Sequence, residues 1–171
     1  MKHGTSERKA VVAVLTVSDT RSIKDDRSGA IAVEELKLAG HSIATREIVP
    51  DEKAVIASFV MKWAEDETVD AIVVTGGTGI SKRDVTPEAI LPLLAASMPG
   101  FGELFRQLSY EEIGAAAMLS RAHAGWIDVG ILRTPIFMLP GSPNAVTLAM
   151  QKLVTGQLGH LLDVCLMETT R

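Results

Sequence analysis

Three stretches of the chain, residues 10–17, 71–74 and 136–139, are apolar almost without interruption. Each reads as a strand buried on both faces, as in a parallel sheet covered by helices on either side. Residues 41–49 interleave polar with apolar positions and predict a weaker strand, and residues 122–139 offer two strands around Gly130. Between these runs the apolar period lengthens to that of a helix. Ala32, Val33 and Leu36 share one face, with Ser28 as a candidate N-cap and Gly40 closing the end. Val55, Ile56, Phe59 and Trp63 form a second stripe, for which Asp51 is the candidate N-cap. Pro87 is expected at the first position of a short helix that Pro92 ends early. Residues 101–119 read as helical, and Pro143 opens a last helical region in which Leu158, Leu161, Leu162 and Cys165 keep helical spacing.

Strands alternating with helices indicate an α/β fold with right-handed crossovers: a three-layer α/β/α sandwich around a mostly parallel central sheet. Residues 1–9 read as a flexible tail and residues 10–171 as one domain, without repeat or linker. Apolar residues make up 47% and charged residues 22% of the 171, an ordinary globular balance. Lys and Arg total 17 against 21 Asp and Glu, a formal net charge of −4 that disfavours nucleic acid as a partner. The polar N-terminus offers no signal peptide, and no apolar stretch approaches the ~20 residues that span a bilayer. With one cysteine, Cys165, the expected setting is a reducing cytoplasm away from membranes. The four histidines and single cysteine show no zinc spacing, and Met98, Met118, Met138 and Met150 read as core filling.

The chemistry concentrates where the strand at 71–74 ends, in Thr75, Gly76, Gly77, Thr78 and Gly79. Glycines there allow positive φ and close approach of a ligand, and successive N–H groups at such a turn make a concavity for phosphate oxygens. The loop is neither a GxGxxG fingerprint nor a Walker loop, and no GxSxG elbow occurs. Taken alone, it is as consistent with a tight turn as with a ligand site. Lys82, Arg83 and Asp84 follow it closely. Asp51 and Asp84 both fall just beyond strands whose carboxyl ends point the same way, so one edge offers two carboxylates suited to Mg²⁺. Ser18, Asp19, Asp25 and Asp26 follow the first strand and lie near the same edge. Pro140, Gly141 and Ser142 precede Pro143 as a turn and helix cap whose N–H groups suit a second phosphate. Ser120 and Arg121 are further candidates, the latter for its planar fork.

The run from Thr75 to Glu88 resembles the signature of the MoaB/MogA family of molybdenum-cofactor biosynthesis proteins, shared with the gephyrin G domain. The resemblance extends over about residues 10 to 165, through Thr16-Val17-Ser18-Asp19, residues 25–29 and 48–52, Met98 to Glu103, Leu119-Ser120-Arg121 and residues 139–143. Residues 25–29 and the C-terminal half are closer to MoaB than to MogA. The resemblance implies transfer of an adenylyl group from Mg²⁺-ATP to molybdopterin, with release of pyrophosphate. It carries functional acidic roles onto Asp51 and Asp84, as catalytic residues and metal ligands. It gives nucleotide or pterin contacts to Ser18, Asp19, Asp26, residues 75–79, Ser120, Arg121, Pro140, Gly141 and Ser142. It also implies a homotrimer or a hexamer, and a transient contact with a MoeA-type molybdenum insertase. The alternative is a pterin-binding scaffold of the same pathway without catalysis, and a third reading, a module within a longer chain, fits the length less well. Phe101, Phe105, Leu108 and Tyr110 are expected on a face the sheet leaves uncovered, open to other subunits.

Overall fold

The computed structural model describes residues 6–167. Its strands are β1 (Val11–Val17), β2 (Ser42–Val49), β3 (Ala71–Thr75), β4 (Ala96–Ser97), β5 (His123–Val129) and β6 (Leu132–Leu139). Its helices are α1 (Arg27–Leu38), α2 (Lys53–Ala64), α3 (Thr86–Ile90), α4 (Pro99–Ile113), α5 (Pro143–Ala149) and α6 (Leu158–Met167). The six strands form one sheet in the order β2-β1-β3-β6-β5-β4. The first four are mutually parallel, while β5 and β4 run antiparallel to their neighbours. Successive residues of β1, β3 and β6 alternate between two cores. Val12, Val14, Val73, Phe137 and Leu139 pack on one face with α1, α4, α5 and α6, and Ala13, Leu15, Ile72, Val74 and Met138 pack on the other with α2 and α3. This is the expected three-layer α/β arrangement with a mostly parallel sheet.

Chain order reverses across β1 and β3, since β2 follows β1 on one side and β3 returns on the other. That reversal opens a crevice at the carboxyl ends of β1 and β3, where open α/β sheets bind ligands. The loops after β1, β2, β3 and β6 all emerge along this edge.

Local details differ from the sequence expectation in instructive ways. Asp26, not Ser28, caps α1, accepting from the Gly29 N–H at 2.9 Å. Ser28 is buried and donates to the Gly141 carbonyl at 2.7 Å. Asp51 is not a cap either: Glu52 flanks α2 and gives no side-chain cap bond. Pro87 takes the second position of α3 rather than the first, and the helix gives way at Leu91 to a 3₁₀ turn containing Pro92. The helix expected over residues 101–119 runs from Pro99 to Ile113 and continues as a 3₁₀ segment, Gly114–Leu119. Phe101 and Phe105 are buried against Phe137, so they do not form the uncovered face; Tyr110 remains exposed. Met118 is exposed too, and fills no core.

Candidate functional site

Thr75 ends β3 with its hydroxyl donating to the Pro140 carbonyl, and Gly76 N–H donates to Leu139 O, so the loops after β3 and β6 are tied at their roots. Gly76 and Gly77 then take φ of 97° and 63°. A Cβ on Gly76 would collide with the Val17 carbonyl, and one on Gly77 would stand 2.9 Å from Asp51 Oδ1. Only glycine allows both the turn and this close approach. Thr86 fastens the return of the chain, its N–H to Gly77 O at 3.0 Å and its hydroxyl to Gly76 O at 2.8 Å. Among the described residues no protein acceptor takes the N–H groups of Gly77, Thr78 and Gly79. Three consecutive donors are thereby left for an anion.

The carboxylates converge on this loop. Burial, and then the charges of Asp19 and Asp84, hold the Asp51 carboxyl above the usual carboxylate range, only partly offset by Arg83 and the Asp19 backbone. Asp19 is held low by its bond to Arg83 and by the Asp51 N–H, which donates to it at 3.0 Å. Its contact with Arg83 is solvent-exposed and of little worth to the fold. Asp84 turns one oxygen to the Ser81 N–H at 2.8 Å. No group of three or more His, Cys, Asp or Glu among the described residues could hold a metal alone. Two carboxylates beside phosphate donors nonetheless fit Mg²⁺, which takes one or two carboxylates and completes its shell with water and substrate phosphates. The mutual repulsion at Asp51 is what a cation there would relieve.

The remaining candidates divide. Ser18 accepts from the N–H groups of Thr20 and Arg21 and shapes the turn after β1. Gly141 packs against Gly76, its built Cβ falling 3.1 Å from the Gly76 Cα, and its carbonyl receives both Ser28 and Arg21. Ser142 caps α5 through the Ala145 N–H, as the sequence predicts. Asp26 is buried beneath the site. Burial would raise its carboxyl, but the Gly29 N–H, Arg46 and Thr16 together outweigh that and hold it low, so both oxygens are engaged by the protein. Ser120 accepts from the Ala122 N–H. Arg121 bonds the loop itself, donating to the carbonyls of Gly79 and Asp84 and pairing with Glu88. Sequence reasoning passed over Arg21 and Glu88, because neither has a local signal; each matters through a partner distant in the chain.

Beside the loop lies a cavity of about 600 Å³ lined by the apolar Pro87, Leu91 and Pro92, by the basic Lys53 and Arg106, and by His123. Glu88 and Arg121 separate it from a smaller hollow, about 350 Å³, that holds Asp84. His123 Nε2 is buried without a partner, and burial and then Arg106 hold that imidazole below its ordinary value.

Comparison with known proteins agrees with this architecture. A family model described as a probable molybdopterin binding domain matches residues 13–160. Molybdenum cofactor biosynthesis protein B of Bacillus subtilis (strain 168) is 51% identical over 150 residues, 87% of this chain and 86% of the relative. A crystal structure of molybdenum cofactor biosynthesis protein B aligns with a TM-score of 0.88 at 44% identity, covering 95% of this chain and 99% of the other. The tungsten cofactor synthesizing protein MoaB from Pyrococcus furiosus aligns with a TM-score of 0.84 at 36% identity, covering 94% and 99%. On a match that spans most of both chains, in sequence and in fold, this chain belongs to the MoaB family of molybdenum cofactor biosynthesis proteins.

Proposed function

We propose that the protein transfers an adenylyl group from ATP to molybdopterin. The observation that carries this reading is the meeting of three unpaired N–H groups, at Gly77, Thr78 and Gly79, with the Asp51 carboxyl, which lies close against Gly77. An oxygen of the terminal phosphate of molybdopterin attacks the α-phosphorus of ATP, the bond between the α-phosphorus and its bridging oxygen breaks, and pyrophosphate leaves. The protein needs no covalent nucleophile for this. It must bring two anions together and offset the charge that grows on the leaving group. Asp51 and Asp84 would hold Mg²⁺, whose positive charge screens the phosphate oxygens when it is bound. The loop N–H groups take phosphate oxygens, and Lys82 or Arg83 offsets charge in the transition state. The cavity lined by Pro87, Leu91 and Pro92 has the apolar surface and basic residues suited to the heterocycle and its anionic tail.

In this reading the protein is cytoplasmic, assembles as a homotrimer or a dimer of trimers, and passes its product to a MoeA-type molybdenum insertase through a transient contact. The test is incubation with ATP, Mg²⁺ and molybdopterin. Adenylylated product and pyrophosphate are expected only with all three present, and chelation is expected to stop the reaction. Asp84→Ala should reduce turnover at least ~100-fold with the thermal midpoint little changed, because among the described residues its side chain hydrogen-bonds only the Ser81 N–H. Tight molybdopterin binding with no detectable ATP binding at millimolar concentration would replace this reading with that of a pterin-binding scaffold.

A further inference from the structure

The loop that carries Asp84 has few ties to the rest of the molecule. Within it, Asp84 N–H bonds Ser81 O, Ser81 N–H bonds Asp84 Oδ2 and Arg83 N–H bonds the Ser81 hydroxyl, all internal. Outward, the exposed Arg83 meets Asp19, and among the described residues every other hydrogen bond leaving residues 78–84 goes to Arg121. The Arg121 N–H donates to Thr78 O at 3.0 Å, Nε to Gly79 O at 2.8 Å and Nη2 to Asp84 O at 2.7 Å. Its third nitrogen, Nη1, pairs with Glu88 on α3. The guanidinium thus has each of its nitrogens engaged, with both ends of one loop and the helix that follows it.

We propose that Arg121 is a positioning residue: it buckles residues 79–84 so that the Asp84 carboxylate is set beside Gly79, and it does not itself bind substrate. The three acceptors lie in different directions, and a planar fork with fixed donor angles meets them together. A lysine, with one mobile point charge, satisfies one at a time. Released from the buckle, the loop regains backbone freedom and Asp84 samples many placements. A displacement of about 1 Å at such a group costs on the order of 100-fold in rate. Arg121 comes from the segment before β5, so the buckle also joins the antiparallel end of the sheet to a loop of its parallel part.

The kinetic part of this proposal rests on adenylyl transfer; the structural part does not. Amide hydrogen exchange and steady-state kinetics on the full chain test it, comparing the wild type with Arg121→Lys and Glu88→Gln. In Arg121→Lys, exchange at the bonded amides of Ser81, Arg83 and Asp84 should quicken about tenfold while β1 and β6 stay as in the wild type. Its kcat should fall by about 100-fold with KM for molybdopterin within twofold of wild type. Glu88→Gln alters an exposed side chain, leaves the fold secure, and should move the same quantities in the same direction by a few-fold. Unchanged exchange at Ser81, Arg83 and Asp84 in Arg121→Lys overturns the proposal, as does a raised KM at unchanged kcat, the mark of a substrate contact. A wild type that forms no adenylylated product removes the function proposed above and leaves the exchange pattern to decide the buckle alone.

Discussion

At Asp51 the requirements of folding and of the proposed chemistry point in opposite directions. Burial, then the charges of Asp19 and Asp84, hold its carboxyl above the usual carboxylate range, so the folded state takes up its proton more readily than the unfolded chain. The folded state therefore loses stability as pH rises from the ordinary carboxylate value through the higher value in the fold. Asp51→Asn removes the charge and keeps the shape. It should raise the thermal midpoint at pH 7 by about 1–2 °C, and abolish the proposed adenylyl transfer. The gain should vanish below the ordinary carboxylate range, where wild-type Asp51 is protonated in both states. Thermal melts at pH 7 and pH 3 check this; a variant less stable than wild type at pH 7 contradicts it.

At the scale of elements, the fastening of α1 to β2 depends on a single buried carboxylate. Asp26 is 2% exposed, caps α1 and pairs with Arg46 on β2 at 2.8 Å, while the Thr16 hydroxyl donates to it from β1. Asp26→Ala removes the cap and leaves the Arg46 charge half-buried. It should cost about 3 kcal/mol, lowering the thermal midpoint by roughly 10 °C. Asp26→Asn, which keeps an acceptor for the Gly29 N–H, should lose distinctly less. The same element shows why the sequence was legible only in part. The strands β1, β3 and β6 stand out because both of their faces are buried, and Gly40 and Ser142 announce their helix ends locally. The α1 cap was misassigned because Ser28 and Asp26 are both good caps, and only the distant Arg46 and Gly141 decide which of them serves. The two-residue β4 has no pattern to read. In the site, the glycine loop and its flanking aspartates are local signals, whereas Arg121 declares its role only when residues 78–88 are folded against it.

For the whole molecule, the apolar surface left over matters most. Tyr110, Ile113 and Met118 are exposed to 63%, 60% and 75%, along the end of α4 and the 3₁₀ segment that extends it. Clustered apolar exposure of this kind marks an interface, and we place the subunit contact of the proposed trimer there. Sedimentation at micromolar concentration should give three or six chain masses, and Ile113→Glu with Met118→Glu should reduce this to one. A wild-type mass of one or two chains contradicts the assembly. The hairpin between β5 and β6 turns at Gly130 and Ile131, with Ile131 78% exposed, at the edge of the sheet opposite the glycine loops. Exposed turns of this kind are where inserted sequence is best tolerated. A peptide tag grafted between Gly130 and Ile131 should therefore anchor the protein to a sensor surface with the glycine loops facing solution, and under the proposed function Mg²⁺-ATP should bind the immobilised and free forms alike.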